Sequence, residues 1–178
     1  MITPIIHGLF PTPVMFGEMG RSYTKEELAF FKKHQSKTVK NNGNVNTADN
    51  YILNQPELAD IKKVLDVYVN EFYFNILCVK DKVKPYITQS WINYTKPGEF
   101  HHRHAHPNSL VSGVLYLDSD IDKDKIMFYN SEAYKRIKPD IATWNVYNSE
   151  SWWFPVGTGA LVMFPSELQH MVEQKQGK

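Results

Sequence analysis

The spacing of apolar positions changes near residue 85. Before it, apolar residues recur at helical intervals. Leu28, Phe30 and Phe31 follow Thr24-Lys25-Glu26-Glu27, the spacing of a capping box, which predicts a helix that fades near His34. Leu58, Ile61, Leu65, Tyr68, Val69 and Phe72 repeat every three to four positions behind Pro56. They predict a longer helix ending between Asn75 and Lys80. Residues 5–14 read as an extended lead-in, because Pro11 and Pro13 exclude a helix interior and confine any pairing to an edge. Residues 40–50 carry five Asn and one Gly and read as a loop, since Asn side chains compete with regular backbone bonding.

After Pro85 the residues are β-branched or aromatic, and breakers interrupt them at short intervals. Candidate strands are 86–95, 99–106, 110–118, 125–130, 151–156, 160–165 and 168–174, separated by turn signals such as Lys96-Pro97-Gly98 and Gly157-Thr158-Gly159. The expected fold is mainly β: a sandwich or barrel with two N-terminal helices over one outer sheet face. No linker or repeat divides the chain, so 1–178 is expected to be one domain, with 1–84 as lead-in and helices and 85–178 as the β core.

Composition narrows the function. Twenty basic and nineteen acidic residues give a charge of +1, without the basic excess of a general nucleic-acid binder. With 42% hydrophobic residues the chain has material for a core. Cys78 is the one cysteine, so no intramolecular disulfide or multi-cysteine metal site can form. It follows Phe74-Asn75-Ile76-Leu77 and is expected to be a small buried hydrophobe. No apolar run is long enough to cross a bilayer, and the first residues have no basic n-region of a signal peptide. A cytoplasmic protein with no membrane partner is the expectation, and its oligomeric state is left open.

Five of seven histidines fall in two places: His101, His102, His104 and His106, and then His170. On a regular strand over 99–106, His102, His104 and His106 share one face, opposite His101, Arg103 and Ala105. Two imidazoles two apart can meet one ion. His170, from a later strand, can close a three-point site that keeps positions free for substrate and oxygen. A solvated His-rich strand is the competing reading. His7 and His34 lie apart and are given no function.

Several segments occur in order: Leu9-Phe10-Pro11-Thr12-Pro13, Trp91-Ile92-Asn93-Tyr94, His104-Ala105-His106-Pro107-Asn108-Ser109, Ser112-Gly113-Val114-Leu115-Tyr116-Leu117 and Phe164-Pro165-Ser166-Glu167-Leu168-Gln169-His170-Met171-Val172. In these the chain resembles the 2-oxoglutarate/Fe(II) oxygenases of tailed phages and marine bacteria, relatives of the prolyl hydroxylase type. The resemblance implies a double-stranded β-helix (a cupin-like jelly roll). It also implies Fe(II), 2-oxoglutarate and dioxygen as cofactor and cosubstrates, with hydroxylation of a small-molecule or peptidyl substrate. By position it makes His104, His106 and His170 the metal ligands, with His102 as competitor. If phage-encoded, the protein would work in the host cytoplasm. Tyr94 and Tyr116 are candidates for the cosubstrate carboxylate, with Asn93 and Ser112 behind them. The competing reading for each tyrosine is a core side chain.

The chain departs from the superfamily at two points. His106 stands where Asp or Glu is usual, so three neutral imidazoles would leave the ion its full double charge and open the site to zinc, nickel or copper. The basic partner of the cosubstrate's far carboxylate normally lies on the strand after the distal His. The sequence ends eight positions past His170, so that last strand is expected to be missing or barely begun, on a shortened chain. Arg21, Arg103 and Arg136 are the only arginines; Arg103 is expected on the outer face, and Lys175 in solvent. One of Trp152 and Trp153 is expected in the core, and the stretch 131–149 is a candidate substrate lid. Two alternatives remain: a cupin-like three-His enzyme that does not use 2-oxoglutarate, and a non-catalytic metal-binding jelly-roll module.

Overall fold

The computed structural model describes residues 4–80, 82–130 and 139–176. Tyr134, Lys135, Arg136 and Lys138 of the candidate lid, and Lys178, lie outside the described residues.

Strand β1 (Met15–Glu18) leads into helix α1 (Lys25–His34). Thr24 caps α1 as the sequence predicts: its Oγ1 accepts from Glu27 N, while the Glu27 carboxylate accepts from Thr24 N. Lys32, Lys33 and His34 in the last turn suit the negative end of the helix dipole. His34 closes the helix stacked on Phe30, its ring centroid 3.9 Å away. The inward face buries Phe30 and Phe31.

Residues 40–50 are not a plain loop. Strands β2 (Thr38–Lys40) and β3 (Val45–Thr47) form an antiparallel hairpin. Its turn holds Asn42-Gly43, with Gly43 at φ +94°, and Asn-Gly is a strong hairpin signal. The asparagines bond within the turn rather than against it: Asn41 Nδ2 donates to Asn44 Oδ1, and Asn44 Nδ2 to Thr95 Oγ1.

Two short 3-10 turns precede helix α2 (Ala59–Asn70), which widens into a π-helical stretch over Glu71–Ile76. Phe72 stays fully buried there. Cys78 then turns out of the core at φ +51° and is exposed, which corrects the expected buried thiol. The wide π turn ends the helical face before Cys78 is reached.

The remaining strands are β4 (Asn93–Tyr94), β5 (His101–His104), β6 (Val111–Leu115), β7 (Lys125–Tyr129), β8 (Ser151–Pro155), β9 (Ala160–Pro165) and β10 (Gln169–Val172). The predicted strand 86–95 survives only as β4 plus one bridge between Tyr51 and Ser90. Its residues favour extension, but no neighbouring strand lies alongside to pair with most of them. The strands form three antiparallel sheets, ordered β1-β9-β6, β5-β10-β7-β8 and β2-β3-β4.

Strand β9 sits between two layers, which is why its run Leu161-Val162-Met163-Phe164 is apolar throughout and buried. Leu161 and Met163 face α2, packing with Phe72, Tyr68 and Val69. Val162 and Phe164 face the second large sheet, packing with Ile126 and Phe128 of β7. Tyr68 of α2 also grips β1, its hydroxyl bonded to both Glu18 N and Glu18 O at 3.0 Å. Gly17 is required beneath that ring, since a Cβ there would come within 2.3 Å of Tyr68 Cε1. Gly113 lets β6 approach β9, where a Cβ would meet Met163 Cγ at 3.2 Å. Trp153 is exposed and Trp152 is half-buried, as adjacent strand residues should be. No helix among the described residues is long and apolar enough to cross a membrane.

Candidate metal centre

Strand β10 carries His170 between β5 and β7. His170 lies opposite His104 on one side and Phe128 on the other, so the long-range pairing of β5 with β10 brings His104 and His170 together. Their ring centroids are 4.3 Å apart. Strand β5 stops at His104, two residues short of the predicted end. His106 follows just before the Pro107-Asn108 turn, held by its N–H, which donates to Ser166 O at 2.9 Å. Its ring lies 4.8 Å from that of His104 and 5.2 Å from that of His170. One ring nitrogen from each of His104, His106 and His170 falls within 4.8 Å of the others.

The simple alternation expected for 99–106 fails. His170 pairs with His104 and Val172 with His101, so two residues of β10 span three of β5. This bulge puts His101 on the same side as His104, with ring centroids 4.5 Å apart. His101, His102 and His104 make a second group with ring nitrogens within 4.8 Å of one another. Arg103 points to the outer face as expected. It donates to Gln169 Oε1 at 2.6 Å and stacks over Tyr129 at 4.0 Å.

Ring orientation is set by the backbone. A carbonyl oxygen can only accept, so the facing ring nitrogen carries the proton. Nδ1 of His104 donates to His102 O at 2.7 Å, and Nδ1 of His170 to Leu168 O at 3.1 Å. In both rings Nε2 is left with a free lone pair, the usual outer-contact arrangement of a metal-binding imidazole. Burial, more than any neighbour, pushes the ring pKa down: to about 3 for His101 and His170, to about 4 for His106, and below the ordinary value for His104. Desolvation disfavours imidazolium, so these rings are neutral at ordinary pH, the form that binds metals.

These histidines border a cavity of about 1270 Å³ between the sheets and the helices. Tyr94, Tyr116, Asn93 and Ser112 line the same space. Tyr116 is the notable one. Its hydroxyl is buried and has no hydrogen-bond partner among the described residues, and burial raises its pKa well above the tyrosine range. Tyr94 differs: its hydroxyl donates to Phe31 O at 2.6 Å, which uses its single proton. Ser112 Oγ is 2.8 Å from the Oγ of buried Ser166. Lys175 is not simply solvated. Its Nζ pairs with Asp124 Oδ2 at 2.9 Å, with both residues in the cavity wall.

Sequence reasoning gave no role to His101, Ser166 or the Lys175–Asp124 pair. Only the bulge reveals His101, and no local pattern announces it. Trp91, its ring 5.5 Å from that of His106, could have been noticed from its place in the Trp91–Tyr94 segment.

Paired sheets with convergent imidazoles beside a wide cavity are the layout of an open, mononuclear metal site. The chain belongs to the family described as "Putative 2OG-Fe(II) oxygenase", whose profile matches residues 89–178. Its fold is similar to a crystal structure of an oxidoreductase of the 2OG-Fe(II) oxygenase family from Burkholderia pseudomallei. The TM-score is 0.56 at 15% identity, over 86% of this chain and 73% of that chain. Comparison with curated proteins finds no match.

Proposed function

We propose that this protein is a mononuclear non-haem Fe(II), 2-oxoglutarate-dependent oxygenase on a double-stranded β-helix, acting on a small-molecule or peptidyl substrate. The observation that carries this reading is the convergence of His104, His106 and His170 on one point beside a roomy cavity. The residues present suit the cofactors. Three neutral imidazoles, those of His104 and His170 with tautomers fixed by backbone carbonyls, are a competent donor set for a divalent ion. Tyr116 lines the same cavity, and its buried, unpartnered hydroxyl is a donor that can serve an acceptor such as a carboxylate.

When bound, iron and 2-oxoglutarate supply oxidative decarboxylation of the cosubstrate to succinate and carbon dioxide, coupled to insertion of oxygen into a C–H bond. The protein's part is binding and orientation. His104, His106 and His170 hold the ion. Their uncharged state leaves the metal's double charge for an anionic cosubstrate to offset. Tyr116 donates to the cosubstrate, and Ser112 and Asn93 line the same cavity. The apolar walls, including Ile126 and Leu161, limit water around the reacting groups.

One observation favours a second reading, a three-His enzyme whose ion binds substrate directly without 2-oxoglutarate. No arginine lines the cavity among the described residues; its basic residues are Lys32, Lys84, Lys96 and Lys175, of which Lys175 is already paired with Asp124. The test is to supply iron and 2-oxoglutarate anaerobically, measure both bound, then admit oxygen and assay succinate. One ion per chain and iron-dependent succinate are expected, with the succinate lost and iron binding weakened in H170A. Bound iron without 2-oxoglutarate binding or succinate would transfer support to the second reading. A protein that holds no divalent ion ends both.

A further inference from the structure

The bulge in β5 gives His104 two sets of neighbours. His106 and His170 complete the inner triad, while His101 and His102 complete an outer one. In the outer group the rings of His101 and His102 are 5.4 Å apart, and those of His102 and His104 are 4.8 Å apart. His102 shows the same preparation as the inner rings: its Nδ1 faces Asn42 O at 3.2 Å, across to the β2–β3 turn, leaving Nε2 free. A merely solvated histidine has no need of that restraint. The outer group also reaches across the rim, because His101 borders the cavity and His102 does not.

Two constraints follow from the shared ring. His104 Nδ1 is committed to the His102 carbonyl, so Nε2 is its only donor, and the two triads cannot both hold an ion through His104. An ion bound by one triad can instead pass to the other by exchanging two imidazoles while keeping the third. Stepwise exchange matters here because a hydrated dication cannot shed its water shell at once into a buried pocket without a large desolvation cost. His170 is 3% exposed, whereas the outer rings are only partly buried.

We propose that His101, His102 and His104 form an outer acquisition site for a divalent first-row transition ion, which then passes to His104, His106 and His170 by ligand exchange about the shared His104 Nε2. The step is redox-neutral: two metal–nitrogen bonds break, two form, and no proton moves. It rests on the reading of the inner triad as the resident metal site.

Co(II) is the probe, followed by equilibrium stoichiometry and by stopped-flow absorbance on the full chain. Wild type should bind one ion. H106A/H170A should still bind one, about 10- to 100-fold more weakly, and adding H102A should abolish that binding. H101A/H102A should keep wild-type affinity but load about tenfold more slowly, with release slowed equally. If H106A/H170A proves unfolded by circular dichroism, H106Q/H170Q carries the same comparison. Loading of H101A/H102A at the wild-type rate overturns the proposal, and so does failure of a folded inner-triad variant to bind any ion. Absence of binding by wild type would instead overturn the inner triad, which separates the two failures.

Discussion

Two regions among the described residues bury ionisable side chains and treat them in opposite ways. At the start of α1, Glu27 is 2% exposed, yet every demand is met inside the protein. Arg21 holds both carboxylate oxygens, at 2.6 and 2.8 Å, and Thr24 N donates to one of them. Around the cavity the rings of His101, His104, His106 and His170 have no carboxylate partner in their titration, and the Tyr116 hydroxyl has no partner among the described residues. A closed set of contacts stabilises a fold. An open set, bordering a cavity, is addressed to something that enters. The contrast separates structural burial from functional burial with chemistry of similar polarity.

The largest effect should come from the open set. H170A should lower divalent-ion affinity by about 10- to 100-fold, measured by competition with a chelating dye, since a ligand of the inner triad is lost. The same change should leave the metal-free protein no less stable than a typical core substitution does. At the closed set, E27A should cost roughly 2–3 kcal/mol in urea denaturation, because it removes a helix cap and strands Arg21, while metal affinity stays unchanged. A drop in metal affinity there would erase the distinction.

Y116F should weaken 2-oxoglutarate binding by about tenfold in calorimetry, the worth of one hydrogen bond to a charged acceptor. It should change stability by less than about 1 kcal/mol, because no internal bond is lost. Y94F should do the reverse, costing about 1 kcal/mol of stability through the Phe31 carbonyl and leaving cosubstrate affinity intact.

The pH response is the mildest test. Burial depresses the folded pKa of His101, His106 and His170 below the unfolded value of 6.5. Between those values the unfolded chain binds more protons. Metal-free stability should therefore be complete above about pH 6.5 and decline as pH falls toward the folded values. Glu27, held below the usual carboxylate range mainly by Arg21, loses its contribution only at more acidic pH. A metal-free protein with flat stability between pH 7 and 5 would mean the imidazoles are not desolvated.

Much of the scaffold could be read from local pattern. Thr24 and Glu27 announce α1, and the spacing from Leu58 to Phe72 announces α2, because both depend on neighbours within four residues. The unbroken apolar run of β9 likewise gives a strand buried on both faces. Elements that depend on partners were less legible. Residues 86–92 have strand-like composition, but strand formation needs an adjacent edge. The β2–β3 hairpin was hidden by its asparagine content, although Asn42-Gly43 was its own signal. At the site, His104, His106 and His170 were legible as candidates that converge. The approach of His101 was not, because parity along a strand predicts faces only while pairing stays regular.

That irregularity changes which mutations can alter the centre. Substitution exchanges one side chain and leaves the phase of its neighbours intact. Deleting a single residue between His101 and His104 would restore even pairing with β10 and rotate His101 away from the side that His104 occupies. The number of imidazoles at the rim is therefore governed by strand length as well as by amino-acid identity. Insertions and deletions in this stretch would reset the set of convergent rings in one step.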